Sequence, residues 1–121
     1  MSIESIAKRL VELCREGKFE QAQDELYSKD AESTEPNGTP QAGTVKGIDA
    51  IKQKGKQFQE GTEAIHSLTV GEPTIAGNWF SIAMTMDITM KQYGRMTMTE
   101  ICVYHVKDGK VDKELFFYDA G

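Results

Sequence analysis

The sequence predicts an α+β fold, in which a cone-shaped, curved antiparallel sheet (an α+β barrel) packs on three N-terminal helices. Apolar residues recur at steps of three and four near the N-terminus, which is the period of an amphipathic helix. Beyond Glu63 the period becomes two, and from Phe80 to Met90 every even-numbered residue is apolar, as in a strand with one buried face. A chain of 121 residues fits one domain, which we expect to span residues 1–121.

Three segments have the periodicity and the end signals of helices. The first runs from Ile3 to Cys14 after Ser2, a residue type that caps helix N-termini. The second covers Phe19–Leu26, and the third covers Ile48–Gly61. Apolar residues on one face support each of them: Ile6, Leu10 and Leu13 in the first, Ala22 and Leu26 (with Tyr27 beside them) in the second, and Ile51 and Phe58 in the third.

The remaining segments have the alternation or the flanking turn residues of strands. A brief strand over Ala31–Glu35 closes at a Pro-Asn-Gly turn, and a bridging strand is expected near Thr44 and Val45. A first long strand begins just beyond Glu63. Three more long strands follow, with a tight hairpin at Asp108-Gly109 before the last: Phe80–Met90, Met96–Val106 and Val111–Tyr118.

Charge and composition exclude several classes of function. The net charge of −5 opposes binding to a phosphate backbone, so no nucleic-acid partner is expected. The lysines at 46, 52, 54 and 56 are expected to form a solvated helix face. No apolar segment reaches the roughly 18 residues that a membrane span needs, so no membrane partner is expected. Cys14 and Cys102 fit buried thiols in a reducing compartment, which favours a cytoplasmic protein.

The order of several motifs resembles a known family. The segments "LYSKDAESTEP", "GIDAIKQKGKQF" and "VKDGKVDKELFFYD", with the long strands between them, are similar to the SnoaL-like proteins. These proteins share the nuclear transport factor 2 fold with ketosteroid isomerase. The resemblance implies a cone-shaped α+β barrel, usually dimeric through the outer face of the sheet. It also implies a wide range of functions, from isomerases, polyketide cyclases and dehydratases to binding proteins and transport adaptors.

Carrying the isomerase pattern over residue by residue gives a mixed result. The acidic residue before proline, which is the general base of the isomerase, corresponds to Glu35. The oxyanion-binding tyrosine of the first helix corresponds to Leu10, and the protonated aspartate falls near Cys102. Both oxyanion donors are therefore missing, and steroid isomerase activity is not expected.

The same resemblance indicates which side chains line the cone. Even-numbered residues of the later strands are expected to point inward and to form a mostly apolar pocket for a small hydrophobic molecule. The expected ligand-binding residues are Tyr27, Met84, Met86, Met98, Cys102, Tyr104, Glu114, Phe116 and Tyr118. A shift of one residue in register would turn the whole set outward.

Three polar residues are the candidates for acid–base chemistry. We expect Glu35 or Glu100 to move a proton, because a carboxylate drawn into an apolar cone acquires a raised pKa. His66, near the start of the first long strand, is the third candidate and could bind a developing oxyanion together with Tyr104 or Tyr118. The alternative is that Glu100 and Glu114 form structural hydrogen bonds.

Three functions stay open at this point. The first is a cofactor-free isomerase, cyclase or dehydratase that acts on a small hydrophobic carbonyl compound. The second is a non-catalytic small-molecule-binding module. The third is a homodimeric interaction protein that uses Ile101, Val103 and His105 on the outer face of the sheet. No cofactor is expected, and no metal, because the histidines lack a ligand spacing.

Overall fold

The computed structural model describes residues 2–119 and contains three helices and seven strands within that range. The helices are α1 (Ile3–Arg15), α2 (Phe19–Leu26) and α3 (Ile48–Gly61). The strands are β1 (Tyr27–Glu35), β2 (Gly43–Lys46), β3 (Thr62–Val70), β4 (Thr74–Ala76), β5 (Trp79–Met90), β6 (Gly94–Lys107) and β7 (Lys110–Phe117). None of the helices in the described range is long and apolar enough to cross a membrane.

The helices form where the apolar stripes predict them. Ser2 caps α1, since its Oγ accepts a hydrogen bond of 3.1 Å from the backbone N–H of Ser5. Gly17 follows α1 with a φ of 72°, a left-handed conformation that lets the chain turn into α2. The stripes of the three helices are buried: Ile6, Ala7, Leu10, Val11, Leu13 and Cys14 in α1, Ala22 and Leu26 in α2, and Ile51 in α3.

The strands form one curved sheet, in the order β2-β1-β7-β6-β5-β3, with β4 paired to another part of β5. The predicted antiparallel sheet is wrong in one respect, because β1 and β7 run parallel and the sheet is therefore mixed. A parallel pair needs a long crossover connection. Here the crossover contains α3 and the strands β2 to β6. The residues of β1 and β7 therefore show no local pattern that would predict their pairing.

Two strand assignments also differ from the prediction. β1 begins at Tyr27 rather than at Ala31, so Tyr27, which follows the last residue of α2, is the first residue of a strand. β4 is an additional strand of three residues that the sequence does not predict. The three long strands after residue 79 agree with the alternation that predicts them.

Strict alternation along β5 builds the floor of the interior. Its even-numbered side chains from Phe80 to Ile88 are buried, and the odd-numbered ones are half-buried or exposed. The register of β5 with β6 pairs even with even, so that Phe80 lies opposite Tyr104 and Met84 lies opposite Glu100. The two strands therefore share one inward face.

A β-bulge adjusts β7 to this face. His105 pairs with Lys113 and Val106 pairs with Val111, which leaves Asp112 as an extra residue in β7. Val111 and Glu114 are consequently both buried although they are three residues apart. The inward face of the sheet thus continues into β7 and includes a carboxylate.

Removing a core side chain from β5 should destabilise the fold far more than a change on the opposite face. Ile88 is 0 % exposed, and we expect Ile88→Ala to lower the free energy of unfolding by about 2–5 kcal/mol through lost burial and a residual cavity. The matched change Thr85→Ala, at an exposed position of the same strand, should stay within about 0.5 kcal/mol. Urea unfolding followed by circular dichroism measures both, and equal losses would contradict the inward register of β5.

Candidate functional site

Polar side chains from four elements meet at the end of β1, inside the apolar surroundings of the sheet. β1 contributes Ser33 and Glu35, and α3 contributes Lys54. β6 contributes Glu100 and β7 contributes Glu114, both on the inward face. We call these five residues the carboxylate cluster.

Glu35 is held at both of its carboxylate oxygens. The Tyr118 hydroxyl donates to Oε1 at 2.7 Å, and the Lys54 ammonium donates to Oε2 at 2.9 Å. The side chains of Glu35 and Lys54 are 11 % and 16 % exposed, so water screens their attraction only partly. Both oxygens of the Glu35 carboxylate are thus held by protein donors, one of them through a charge-assisted hydrogen bond.

The prediction that Lys54 belongs to a solvated helix face is wrong. Lys54 follows Ile51 by three residues and precedes Phe58 by four, so the helical period places it on the same side of α3 as these apolar residues. Its ammonium reaches Glu35 and lies 5.6 Å from the centroid of the Phe116 ring. The three-residue spacing from Ile51 was the feature of the sequence that could have predicted the inward position of Lys54. No feature of the sequence predicted that Ser33 belongs to the cluster.

Glu114 is the most deeply buried carboxylate of the cluster, with 5 % of its surface exposed. Burial raises the pKa of Glu114, and hydrogen bonds from Tyr27 and Ser33 partly oppose that rise. The Tyr27 hydroxyl donates to Glu114 Oε1, and Ser33 Oγ also accepts a hydrogen bond of 2.8 Å from Lys54. Glu114 thus has protein donors beside it, which suits a structural role.

Glu100 has a pKa near neutral pH. Burial raises the pKa of Glu100 to about 7, against an opposing hydrogen bond from Cys102 and with added repulsion from Glu35 and Glu114. Its side chain is half-buried and lies opposite Met84 on β5. A carboxyl group with this pKa can both give and take a proton at physiological pH.

The structure places the predicted lining residues on the inward side. Tyr27, Met84, Met86, Cys102 and Tyr104 are buried in the core, and Met98 and Phe116 are half-buried and pack against it. The hydroxyl of Tyr118 reaches Glu35, as described above. The Tyr104 ring stacks on Phe80 with centroids 4.9 Å apart.

The two histidines lie away from the carboxylate cluster. The expectation that His66 joins Glu35 and Glu100 is wrong, because its side chain is exposed and its Nε2 contacts Thr89 Oγ1 at 2.7 Å. β3 carries a register irregularity between Ile65 and Ser67, which interrupts the alternation at this point. His105 lies half-buried on the outer face, where its Nδ1 contacts Asp112 Oδ1 at 2.6 Å.

Two surface hollows have volumes of about 350 and 480 Å³. The first is lined by Glu32, Thr34, Thr44, Lys46, Lys113 and Leu115, and the second by Gln23, Asp24, Tyr27, Ser28, Lys29, Ile48, Lys52 and Lys110. Neither includes Glu35, Glu100 or Glu114, so the apolar pocket beside these residues stays a prediction. Within the described residues, no group of His, Cys, Asp and Glu side chains is arranged to hold a metal ion.

Comparison with known proteins gives a consistent family relationship. The family model of the SnoaL-like domain matches residues 1–118. A solved structure from Mesorhizobium loti, described as a SnoaL-like polyketide cyclase, is 35 % identical with a TM-score of 0.91, covering 98 % of this chain and all of that one. None of the curated proteins matches the chain.

More distant solved structures share the fold. An NTF2-like protein of unknown function from Burkholderia pseudomallei is 16 % identical with a TM-score of 0.81, covering 99 % of this chain and 93 % of that one. A protein from Catenulispora acidiphila with a ketosteroid isomerase-like fold, solved in complex with trimethylamine, is 12 % identical with a TM-score of 0.74. The second match covers 94 % of this chain and 85 % of the other. These similarities confirm the α+β cone that the sequence predicts.

The stability of the protein should depend on pH through Glu100. A pKa raised from 4.5 to about 7 means that the folded state binds the proton more tightly than the unfolded state. The free energy of unfolding should therefore fall as the pH rises through this interval, by at most about 1.4 kcal/mol per pH unit. The Glu100→Gln variant has no carboxyl proton at this position. Its free energy of unfolding should therefore lack this part of the dependence on pH.

Urea unfolding at a series of pH values measures this difference. The exposed Glu63→Gln variant is the matched control and should follow the wild-type protein. Parallel stability curves for the wild type and Glu100→Gln would show that Glu100 is not desolvated in the folded state.

Proposed function

Because this chain belongs to the SnoaL-like domain family, we propose that it is a cofactor-free enzyme of the isomerase, cyclase or dehydratase type. In this proposal Glu100 carries out general acid–base catalysis on a small hydrophobic carbonyl compound. The observation that carries the proposal is the half-buried carboxyl group of Glu100, with a pKa of about 7, near Glu35, whose two oxygens accept hydrogen bonds from Lys54 and Tyr118. Two neighbouring carboxyl groups in different environments are typical of acid–base sites.

The chemistry follows from these environments. Above its pKa, Glu100 accepts a proton from a carbon next to the carbonyl group, which leaves an enolate. The same carboxyl group then returns the proton to another atom of the substrate, so that no other reagent is consumed. Both oxygens of Glu35 already accept hydrogen bonds, and this favours Glu100 over Glu35 as the group that moves the proton.

The surroundings of Glu100 favour a small apolar substrate. Met84 lies directly opposite it, and half-buried Met98 and Phe116 extend the apolar surface. The Catenulispora protein, whose structure contains trimethylamine, is an example of a small molecule bound by this fold. We do not propose a steroid isomerase, since Leu10 and Cys102 cannot supply the two oxyanion donors of that enzyme.

Exchange of carbon-bound hydrogen tests the proposal without knowledge of the natural substrate. The protein is incubated in deuterated buffer with a panel of small aryl and alkyl ketones, and NMR follows the loss of the protons next to the carbonyl group. We expect the wild-type protein to accelerate exchange, and Glu100→Gln to lower the rate by about 100-fold or more. The exchange rate should rise with pH around 7, where Glu100 loses its proton.

Glu32→Gln is a matched control, since this residue lies on β1 and pairs with Lys46 rather than with the carboxylate cluster. It should leave the exchange rate unchanged. Equal rates for the wild type and Glu100→Gln, or no exchange with any ketone of the panel, would refute the proposed enzyme.

A second candidate is a non-catalytic small-molecule-binding module. The hydrogen bonds from Lys54 and Tyr118 to Glu35 favour the binding module. Glu35 corresponds to the base in the isomerase pattern, and both of its oxygens already accept from protein donors. Native mass spectrometry of freshly purified protein would then detect a retained apolar compound that the protein leaves chemically unchanged. Conversion of that compound during incubation would favour the enzyme instead.

We also propose a homodimer formed through the outer face of the sheet. Ile101 and Phe117 are each 52 % exposed and lie directly opposite one another on β6 and β7. Trp79, which is 40 % exposed, continues this apolar surface on β5. An exposed apolar surface of this kind typically marks a contact site, and a symmetric dimer would cover it with a second copy of itself.

A charge in this surface should disrupt the dimer. We expect Ile101→Lys to sediment as a monomer at concentrations where the wild-type protein is dimeric, because the lysine would be buried without a partner charge. Tyr93→Lys is the matched control, since Tyr93 is 67 % exposed but lies in the β5–β6 turn. A wild-type monomer at high concentration would rule out the dimer.

The compartment is part of the same proposal. Cys14 and Cys102 are both free thiols buried in the core. Burial raises the pKa of the Cys14 thiol to about 12, which disfavours its reactive thiolate form. Two unreactive, unpaired cysteines fit a reducing compartment, and we propose the cytoplasm.

A further inference from the structure

The Lys54 ammonium has more donors than it has partners. A lysine ammonium group carries three N–H donors and no acceptor. Two acceptors lie within hydrogen-bonding distance, namely Ser33 Oγ at 2.8 Å and Glu35 Oε2 at 2.9 Å. The described residues therefore leave one donor of Lys54 without a protein acceptor.

The location of Lys54 makes this donor useful to a ligand. Its side chain is only 16 % exposed, so little bulk water competes for the ammonium group. The Phe116 ring lies 5.6 Å away on β7 and supplies an apolar surface beside the charge. A ligand with an apolar body and an oxygen atom suits this combination of the ring and the remaining N–H of Lys54.

The charges around Lys54 leave it able to attract an anion at slightly acid pH. Glu35 on β1 is paired with it, while Glu100 on β6 and Glu114 on β7 face it from the sheet. Below a pH of about 7 Glu100 holds its proton, and burial also raises the pKa of Glu114. The Tyr118 hydroxyl donates a hydrogen bond to Glu35. This hydrogen bond draws on the negative charge of the Glu35 carboxylate, so less of that charge offsets the Lys54 ammonium.

From this geometry we infer that Lys54 binds the negatively charged oxygen of the ligand, and that the ligand class is a small apolar phenol, enol or enolisable dicarbonyl compound. In the reaction, Glu100 removes a proton from carbon, and the electron pair moves onto the carbonyl oxygen beside Lys54. This catalytic part rests on the proposed function, whereas the binding of an anionic oxygen does not. Lys54 would thereby replace, from a different element, the donors that Leu10 and Cys102 cannot provide.

4-Nitrophenol is a suitable probe, because its phenol and phenolate forms absorb at different wavelengths. At about pH 6 most of the free compound is neutral, and a site that binds the anion shifts the bound molecules to the phenolate form. We expect the wild-type protein to produce the phenolate absorption band on titration. Lys54→Met should remove the band and weaken binding by about tenfold or more, since a charge-assisted hydrogen bond is lost.

Two further variants control for folding and for general charge. Lys54→Arg keeps the positive charge and the pairing with Glu35, so it should retain the phenolate band. Thermal melting shows whether Lys54→Met is folded, and Lys54→Arg still tests the role of the charge if Lys54→Met unfolds. Lys56→Met removes an exposed lysine two residues along the same helix and should bind as the wild type does. A wild-type protein that binds the neutral phenol or none at all, or a Lys56→Met variant that loses the band, would overturn the inference.

The outcome is independent of the hydrogen-exchange experiment. If Glu100→Gln catalyses hydrogen exchange as fast as the wild type but Lys54 still binds the phenolate, the proposed enzyme activity is refuted and the anion site is supported. If hydrogen exchange depends on Glu100 but the phenolate band is absent, the enzyme activity is supported and the role of Lys54 is refuted.

Discussion

Burying a carboxylate is costly unless donors or a proton neutralise its charge, and this constraint governs the interior of the sheet. Glu35, Glu100 and Glu114 meet it in three different ways. Glu35 has the Lys54 ammonium and the Tyr118 hydroxyl. Glu114 has the Tyr27 hydroxyl, and Glu100 has a raised pKa. A carboxyl group with a pKa of about 7, as in Glu100, can release and take up its proton at a physiological pH.

Lys54 links the helix above the sheet to the chemistry within it. Through one ammonium group, α3 contacts Ser33 and Glu35 on β1, and its charge also lowers the pKa of Glu100 on β6. A small displacement of α3 would therefore change the protonation of a residue on another element.

The elements that periodicity can detect were predicted, and the contacts between distant segments were not. The stripes of the helices and the alternation of Phe80–Met90 follow from local burial, which each segment shows by itself. The parallel pairing of β1 with β7 depends on residues about 80 positions apart, for which no local pattern exists. Lys54 was misassigned because four lysines close together indicate a solvated face. The helical step from Ile51 was the better guide.

The inward direction of Glu114 depends on one extra residue. Val111 and Glu114 are three positions apart, and strict alternation would place them on opposite faces of the sheet. The bulge takes Asp112 out of the pairing, so Val111 fills the core beside the hairpin and Glu114 still reaches Tyr27. On the outer face, the Asp112 carboxylate contacts His105, so the displaced residue acquires a partner of its own. Without this bulge, Glu114 or Val111 would face outward, and either the carboxylate cluster or the core would lose a member.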